Sequence, residues 1–396
     1  MMMKRVISAL VVIAAALCVQ AQGVCVIKGR IASDTLRYDG QKIKKVYLTR
    51  LDEYNRLVNI DSTKVKKGKY SFQYKLAKDE PTMLYLITGF DNGNIPLFVE
   101  EGNVNITTAS AAYPLGSEVS GTATNNLYAE YKKIYDACVQ EQLDEVRSLA
   151  ATRGEEWVNS AEGLEYRSQF NARSILKCNN RRLEFLLGHN ASPLAPLMMN
   201  HELLKHIGNI YAMQLVGAID PALHSHPYYR ALKSEALAGD LREGNELPDI
   251  PLQMQDGSII HLSDFRGKFV LIDFWAGWCH SCMQELKYIK QIYEETRANK
   301  DNFVLISHSF DKNAEAWHKV IADEGVGREG WIHSCDFMMG KSPTARLMNV
   351  SMIPTIVLID PEGRAISFTL RGEEAVARVK QILSGDLYYL QGDKEE

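Results

Sequence analysis

Two cysteines three residues apart, in Trp275-Ala276-Gly277-Trp278-Cys279-His280-Ser281-Cys282, carry the clearest chemistry in this chain. They follow a nearly unbroken apolar run, Phe269-Val270-Leu271-Ile272-Asp273-Phe274-Trp275, of the kind that forms a strand buried on both faces. Glu285 to Thr296 then reads as helix. A C-x-x-C at such a junction is a thiol redox signature. At a helix start, unpaired N–H groups and the helix dipole stabilise an anion. An exposed Cys279 there is expected to have its thiol pKa lowered, toward the roughly 3.5–7.5 range of such sites. One turn on, a more buried Cys282 closes a small ring and resolves a mixed disulfide. The competing reading is half of a zinc site, which needs a second pair of ligands. His333 and Cys335 are the candidates, far along the chain in a segment that reads as loop, so no metal is expected.

The elements around this junction read as α/β from about Gly244 onward. Ile259 to Leu262, Phe269 to Trp275, Phe303 to Ser307 and Thr355 to Asp360 have strand character, and Pro361-Glu362-Gly363 marks a hairpin turn before Ala365 to Leu370. Helices are predicted at Glu285 to Thr296, Ala314 to Asp323 and Glu373 to Leu383. Strands alternating with helices imply a mixed central sheet flanked by helices.

Asp273-Phe274-Trp275-Ala276-Gly277-Trp278-Cys279-His280-Ser281-Cys282 resembles the thioredoxin active-site segment, and Ile353-Pro354-Thr355 resembles the thioredoxin cis-proline loop. The Leu247-Pro248 start, the lead-in Leu262-Ser263-Asp264-Phe265-Arg266-Gly267-Lys268 and an added N-terminal region look like the exported TlpA/ResA-like branch. The likeness covers residues from about 244 to 390 and implies a thiol–disulfide oxidoreductase. By position, Asp273 matches the buried carboxylate of thioredoxins; burial there is expected to raise its pKa and let it relay a proton to Cys282. Glu285 matches a glutamate near ResA-like active sites, although a glutamate early in a helix is also simply favourable. The resemblance implies that Pro354 forms a cis bond with Ile353, placing backbone beside the sulfurs where a substrate chain docks as a short strand. It also implies that Trp278 flanks the exposed sulfur. Within the motif this chain departs from the commonest pattern, with His280-Ser281 in place of Gly-Pro. Losing proline loosens the helix start, and a protonated His280 favours the thiolate. Both changes favour the reduced form and leave the redox direction open.

Ahead of this module, residues 24 to about 122 hold short β-prone runs such as Val24 to Ile27, Val46 to Leu48, Tyr70 to Phe72, Met83 to Ile87 and Leu97 to Val99. Lys67-Gly68-Lys69 and Glu101-Gly102-Asn103 read as turns between them, and the whole as an antiparallel β-sandwich-like domain. Asp61-Ser62-Thr63 and Gly68-Lys69-Tyr70-Ser71-Phe72 resemble, more weakly, a DUF4369 domain. From Asn125 the spacing turns helical: Leu127, Tyr131, Ile134, Tyr135 and Cys138, then Leu176, Leu183 and Leu187, then Leu203, Leu204 and Ile207, and Tyr211 to Leu215. His201-Glu202 with His206 has the look of H-E-x-x-H, but the second histidine comes one residue late and diverges by about 140° on a helix. Cys138 and Cys178 lie in this connector, and whether they pair is left open. Cys335 reads as a lone buried thiol.

At the N-terminus, Lys4 and Arg5 precede an apolar run from Val6 to Val19, and Val19-Gln20-Ala21 reads as a cleavage site. Leu17 before Cys18 argues against a lipid anchor. The expected organisation is a signal peptide over 1–21, a β-rich domain over 22–123, a helical connector over 124–243 and a thioredoxin-like redox domain over 244–390. Export to the periplasm or cell envelope follows, where disulfides persist. The formal charge of −4, or −6 once Lys4 and Arg5 are removed, gives no electrostatic case for nucleic acid. No cofactor is expected beyond the redox-active disulfide Cys279–Cys282. The expected partners are disulfide- or dithiol-containing envelope proteins and a membrane or periplasmic redox partner that recycles the site. The N-terminal regions would present the site to a partner or mediate self-association. The alternatives are a thiol peroxidase, which normally wants Thr or Ser where Ala276 stands, and a copper-carrying module, which needs a wider cysteine spacing and a distal histidine.

Overall fold

The structure is a computed structural model that describes residues 23–32, 42–207, 209–299, 301–387 and 389. The expected signal peptide over 1–21 lies outside these residues. No described helix is long and apolar enough to cross a membrane. The described residues fall into two compact units: those up to Leu48 together with Asp61–Asn126, and Thr49–Ile60 together with those from Leu127 onward.

The N-terminal β-region is built from β1 (Val24–Ile31), β2 (Lys45–Leu51), β3 (Leu57–Lys64), β4 (Lys69–Lys75), β5 (Met83–Thr88), β6 (Ile95–Val99), β7 (Gly102–Thr108) and β8 (Glu118–Ser120). They form two four-stranded sheets, ordered β4-β1-β7-β8 and β3-β2-β5-β6. Residues two apart point the same way in a strand, so Cys25, Ile27 and Ile31 of β1 are all buried while Lys28 and Arg30 are exposed. The two-residue turn between β3 and β4 has left-handed backbone at both Lys67 (φ 49) and Gly68 (φ 71), the geometry that matches strand twist in tight hairpins. Glu101-Gly102-Asn103, expected to be only a turn, instead opens β7. That strand lies between β1 and β8 and pairs with β1 in parallel, within otherwise antiparallel pairings. Its inward residues, Val104, Ile106 and Thr108, alternate with Asn103, Asn105 and Thr107, and this polar half hid the strand.

In the helical region, α1 (Ala123–Arg153), the short α2 (Glu155–Val158) and α3 (Ala161–Gly188) are followed by α4 (Leu194–Met198), α5 (Asn209–Gly217) and α6 (Pro227–Ala238). Ser160 starts α3, its hydroxyl accepting from Gly163 N–H. Cys138 of α1 and Cys178 of α3 are disulfide-bonded, with Cα atoms 5.9 Å apart. The segment with Leu203, Leu204 and Ile207 is a π turn and a 3-10 turn rather than a regular α-helix. Within it Glu202 accepts a hydrogen bond from Tyr131 Oη at 2.8 Å and pairs with Arg182.

The remaining elements are β9 (Pro251–Gln253), β10 (Ile259–His261), β11 (Phe269–Trp275), α7 (His280–Thr296), β12 (Phe303–Ser309), α8 (Ala314–Asp323), β13 (Trp331–Cys335), α9 (Pro343–Leu347), β14 (Thr355–Ile359), β15 (Ala365–Ser367) and α10 (Gly372–Leu383). The central sheet is mixed, ordered β13-β12-β11-β14-β15, with β12 parallel and β14 antiparallel to β11. Every residue of β12 and all but the first of β11 are buried, as a strand covered on both faces requires. His333 and Cys335, expected in a loop, lie on β13 in parallel register with β12. Polar side chains masked this strand. Most are bonded internally, Ser334 Oγ lying 2.8 Å from His308 Nδ1 and His333 Nε2 2.9 Å from Val326 O, while the buried His333 Nδ1 has no hydrogen-bond partner among the described residues.

Candidate active site

β11 ends at Trp275, and the chain turns through Ala276-Gly277-Trp278 into α7. Gly277 holds that turn: its N–H donates to Asp311 Oδ2 at 3.0 Å, and a Cβ on it would come within 2.9 Å of Val320 Cγ2. Asp311 Oδ2 also accepts from Ser309 Oγ at 2.6 Å. Cys279 is the N-cap of α7, and its Sγ accepts the N–H of Cys282 at 3.2 Å, taking one of the helix's unpaired donors. Ser281 Oγ lies 3.4 Å from the same sulfur. Cys279 and Cys282 are joined as a disulfide. The expectation of an exposed Cys279 is corrected. It is 7% exposed against 3% for Cys282, because the proline loop closes over it, with Ile353 O 4.0 Å from its Sγ.

Ile353–Pro354 is a cis peptide bond. Its loop is tied by Thr355 Oγ1 donating to Met352 O at 2.8 Å and by the Arg371 guanidinium donating to Pro354 O. Two apolar side chains stand out around the sulfurs' side of the sheet, Trp278 at 60% exposed and Met352 at 77%. His280 and Ser281 are both exposed, and His280 Nε2 lies 3.1 Å from Gln284 Nε2.

Asp273 lies buried in the middle of the sheet, in register with Ser307 on one neighbour and Ile356 on the other. Loss of solvation pushes its carboxyl up to about 7, and the nearby Glu285 charge adds to the rise. The Ser307 hydroxyl, 3.4 Å from Oδ2, and the Arg371 charge oppose it. Glu285, half-buried on α7, accepts the N–H of Gly372 at 2.6 Å. Buried Cys335 donates its thiol hydrogen to Asp311 O at 3.6 Å, and burial pushes its pKa up to about 12.

The chain thus brings Cys279, Cys282, Trp278 and the Ile353–Pro354 loop to one end of the sheet, with Asp273 inside it and Glu285 on the helix above. Sequence reasoning missed Asp311, Arg371 and Met352. Asp311 follows directly on a buried strand, where polar groups at strand ends gather around a site. Arg371 precedes a glycine at a helix start, a weaker signal.

Residues 25–128 match the model of a domain of unknown function, DUF4369, and residues 267–365 match a thioredoxin-like model. The thiol-disulfide oxidoreductase ResA of Bacillus subtilis is 28% identical over 129 residues, 32% of this chain and 66% of that protein. The ResA of Bacillus thuringiensis subsp. konkukian is 24% identical over 182 residues, 44% of this chain and 91% of that one. A solved thiol-disulfide oxidoreductase from Bacteroides fragilis is 27% identical, with a TM-score of 0.33 over 35% of this chain and 99% of that one. A bonded C-x-x-C at a helix start beside a cis-proline loop agrees with these matches: the chain carries a thioredoxin-like domain of the thiol–disulfide oxidoreductase type, similar to ResA, behind a DUF4369 domain.

Proposed function

We propose that this oxidoreductase is exported to the periplasm or cell envelope and exchanges disulfides with protein substrates through Cys279 as the attacking thiolate and Cys282 as the resolving thiol. The observation that carries this reading is the placement of Cys279 Sγ at the α7 N-cap, receiving the Cys282 N–H at 3.2 Å beside the carbonyl of Ile353. A helix start stabilises sulfur as an anion, and the thiolate is the nucleophile in exchange.

Starting from the dithiol form, the Cys279 thiolate attacks one sulfur of a substrate disulfide. That bond breaks, a Cys279–substrate disulfide forms, and the displaced substrate sulfur leaves as a thiolate that takes a proton from water. Cys282 then loses its proton to the Asp273 carboxylate and attacks Cys279 Sγ. The mixed disulfide breaks, the second substrate sulfur leaves, and the Cys279–Cys282 bond holds the two electrons' worth of oxidation. Run backwards, the cycle donates a disulfide. The burial that lifts Asp273 to about 7 suits it to hold or release a proton near neutral pH. The cycle balances without any further bound group. Trp278 and Met352 give the approaching chain an apolar rim, and Glu285 acts on Asp273 through its charge. A membrane or periplasmic redox partner recycles the pair, and the regions before Gly244 present it to partners or to a second copy.

Export is supported by the basic start, the short apolar run and the small-residue cleavage site before Gln22. Mass measurement of protein recovered from the envelope tests it: a chain beginning at Gln22 is expected, and an intact Met1 in the cytosol sinks it. Insulin reduction in dithiothreitol tests the exchange. Wild type is expected to turn over, Cys279→Ser to be inert and Cys282→Ser to accumulate the mixed disulfide. Peroxide consumption that survives Cys282→Ser would move the assignment to a peroxidase.

A further inference from the structure

The exchange reading leaves Arg371 without a role, yet its contacts converge on the site. It sits half-buried as the N-cap of α10. One prong of its guanidinium donates to Leu370 O at 2.9 Å, and the other donates to the carbonyl of Pro354. The next residue, Gly372, gives its N–H to Glu285 Oε1 at 2.6 Å, and Glu285 lies one turn beyond Cys282 on α7. Gly372 has φ 56, a left-handed backbone that glycine adopts at no steric cost. A continuous brace therefore runs from the active-site helix, through Glu285, Gly372 and Arg371, to the cis-proline loop. A planar fork held at one prong by its own chain presents the other in a fixed direction, which an ammonium on a flexible stem does not. The carbonyl it holds is one residue from Ile353 O, the backbone atom beside Cys279 Sγ.

We propose that Arg371 is a positioning residue for protein substrates: it fixes the Pro354 carbonyl so that the Ile353–Pro354 edge meets an extended substrate chain at the height of the Cys279 sulfur. This rests on the exchange reading above and assigns the brace that serves it. A small reductant approaches the disulfide without that edge, whereas a polypeptide that docks by main-chain hydrogen bonds depends on it. The brace should thus matter for protein substrates and hardly at all for dithiols.

The test uses the full chain with two reactions side by side. Insulin reduction is measured at steady state, and reduction of the Cys279–Cys282 bond by dithiothreitol is followed alone through tryptophan fluorescence. Arg371→Gln is expected to raise KM for insulin about fivefold or more, with kcat and the dithiothreitol rate each within about twofold of wild type. Arg371→Lys, which keeps a positive donor without the fork, is expected to fall between the two. The assignment is overturned if KM stays within twofold, if the dithiothreitol rate falls as far as the insulin reaction, or if lysine restores nothing. A wild type that leaves insulin intact defeats the exchange reading itself, an outcome separable from these because it appears before any substitution is made.

Discussion

The second compact unit holds two cystine bridges of similar burial and different surroundings. Cys138 and Cys178 are as hidden as Cys279, each less than a tenth exposed, so access to the sulfur does not separate them. Backbone position does. Cys138 and Cys178 lie well inside the long helices α1 and α3, where N–H groups are already bonded along the helix. Their neighbours of note are an ion pair that crosses between the same helices, Glu141 with Arg181 at 2.6 Å. Cys279 instead ends a loop at a helix start, takes the Cys282 N–H on its sulfur, lies beside a cis-proline loop and follows a strand that holds a buried acid. A disulfide becomes a reagent when one of its sulfurs can leave as a stabilised anion and a proton has somewhere to go. A bridge that lacks both is a strut.

The largest test of that contrast is to delete each bridge in turn. Cys279→Ser is expected to lower insulin reduction by at least about a thousandfold, since the sulfur proposed to attack is gone. Cys138→Ala with Cys178→Ala is expected to leave the rate within about twofold. Similar losses in the two proteins would break the distinction.

Asp273 sharpens it next. Its folded pKa of about 7 stands above the ordinary 3.8, so between those values the folded protein holds a proton that the unfolded chain has released. Stability therefore falls as pH rises through that window, and the cost, on the order of 4 kcal/mol, is fully present above about pH 7. Asp273→Asn is expected to be more stable than wild type above pH 7, to match it below pH 4, and to exchange disulfides at least tenfold more slowly at neutral pH. Urea midpoints of the oxidised proteins across pH 4–8 measure the first part. Parallel curves would mean that the carboxyl is not held protonated by its burial.

For the strut, the prediction is reversed in kind. Cys138 and Cys178 are 40 residues apart in sequence, and closing a loop of that length in the unfolded chain is worth roughly 2–4 kcal/mol. The double alanine variant is expected to lose about that much in urea unfolding, with no change in the pH dependence of exchange. A bridge whose removal costs nothing in stability would have no structural part to play.

What the sequence made legible follows the same division. β11, its buried carboxylate and the C-x-x-C are contiguous in the chain, so a nearly continuous apolar run and a three-residue spacing suffice to read them. The Arg371 contact joins loops 17 residues apart through a backbone carbonyl, which no residue type advertises. β7 and β13 were hidden for another reason: half of each strand is polar, and for β13 the polar groups are buried against one another rather than in water. Helical spacing was read correctly in α1 and α3, but not which face is covered. Tyr135 and Leu176 keep the apolar period and are nevertheless exposed.

The smallest predicted effect asks how the buried acid is tuned. Loss of solvation is the main cause of the rise at Asp273, and the Glu285 carboxylate adds a smaller part that the Arg371 charge partly offsets. Glu285→Gln removes the negative charge and keeps an oxygen to accept the Gly372 N–H, so the brace to the proline loop survives. Without the like charge, ionisation of Asp273 becomes easier and its midpoint should move to lower pH, by less than about one unit. Infrared titration of the carboxyl band in the oxidised protein reads that midpoint directly, with Asp273→Asn identifying the band. A downward shift with an unchanged KM for insulin separates the electrostatic part of Glu285 from its structural one. An unshifted midpoint would leave burial as the sole source of the raised pKa, and would reduce Glu285 to an anchor for Gly372.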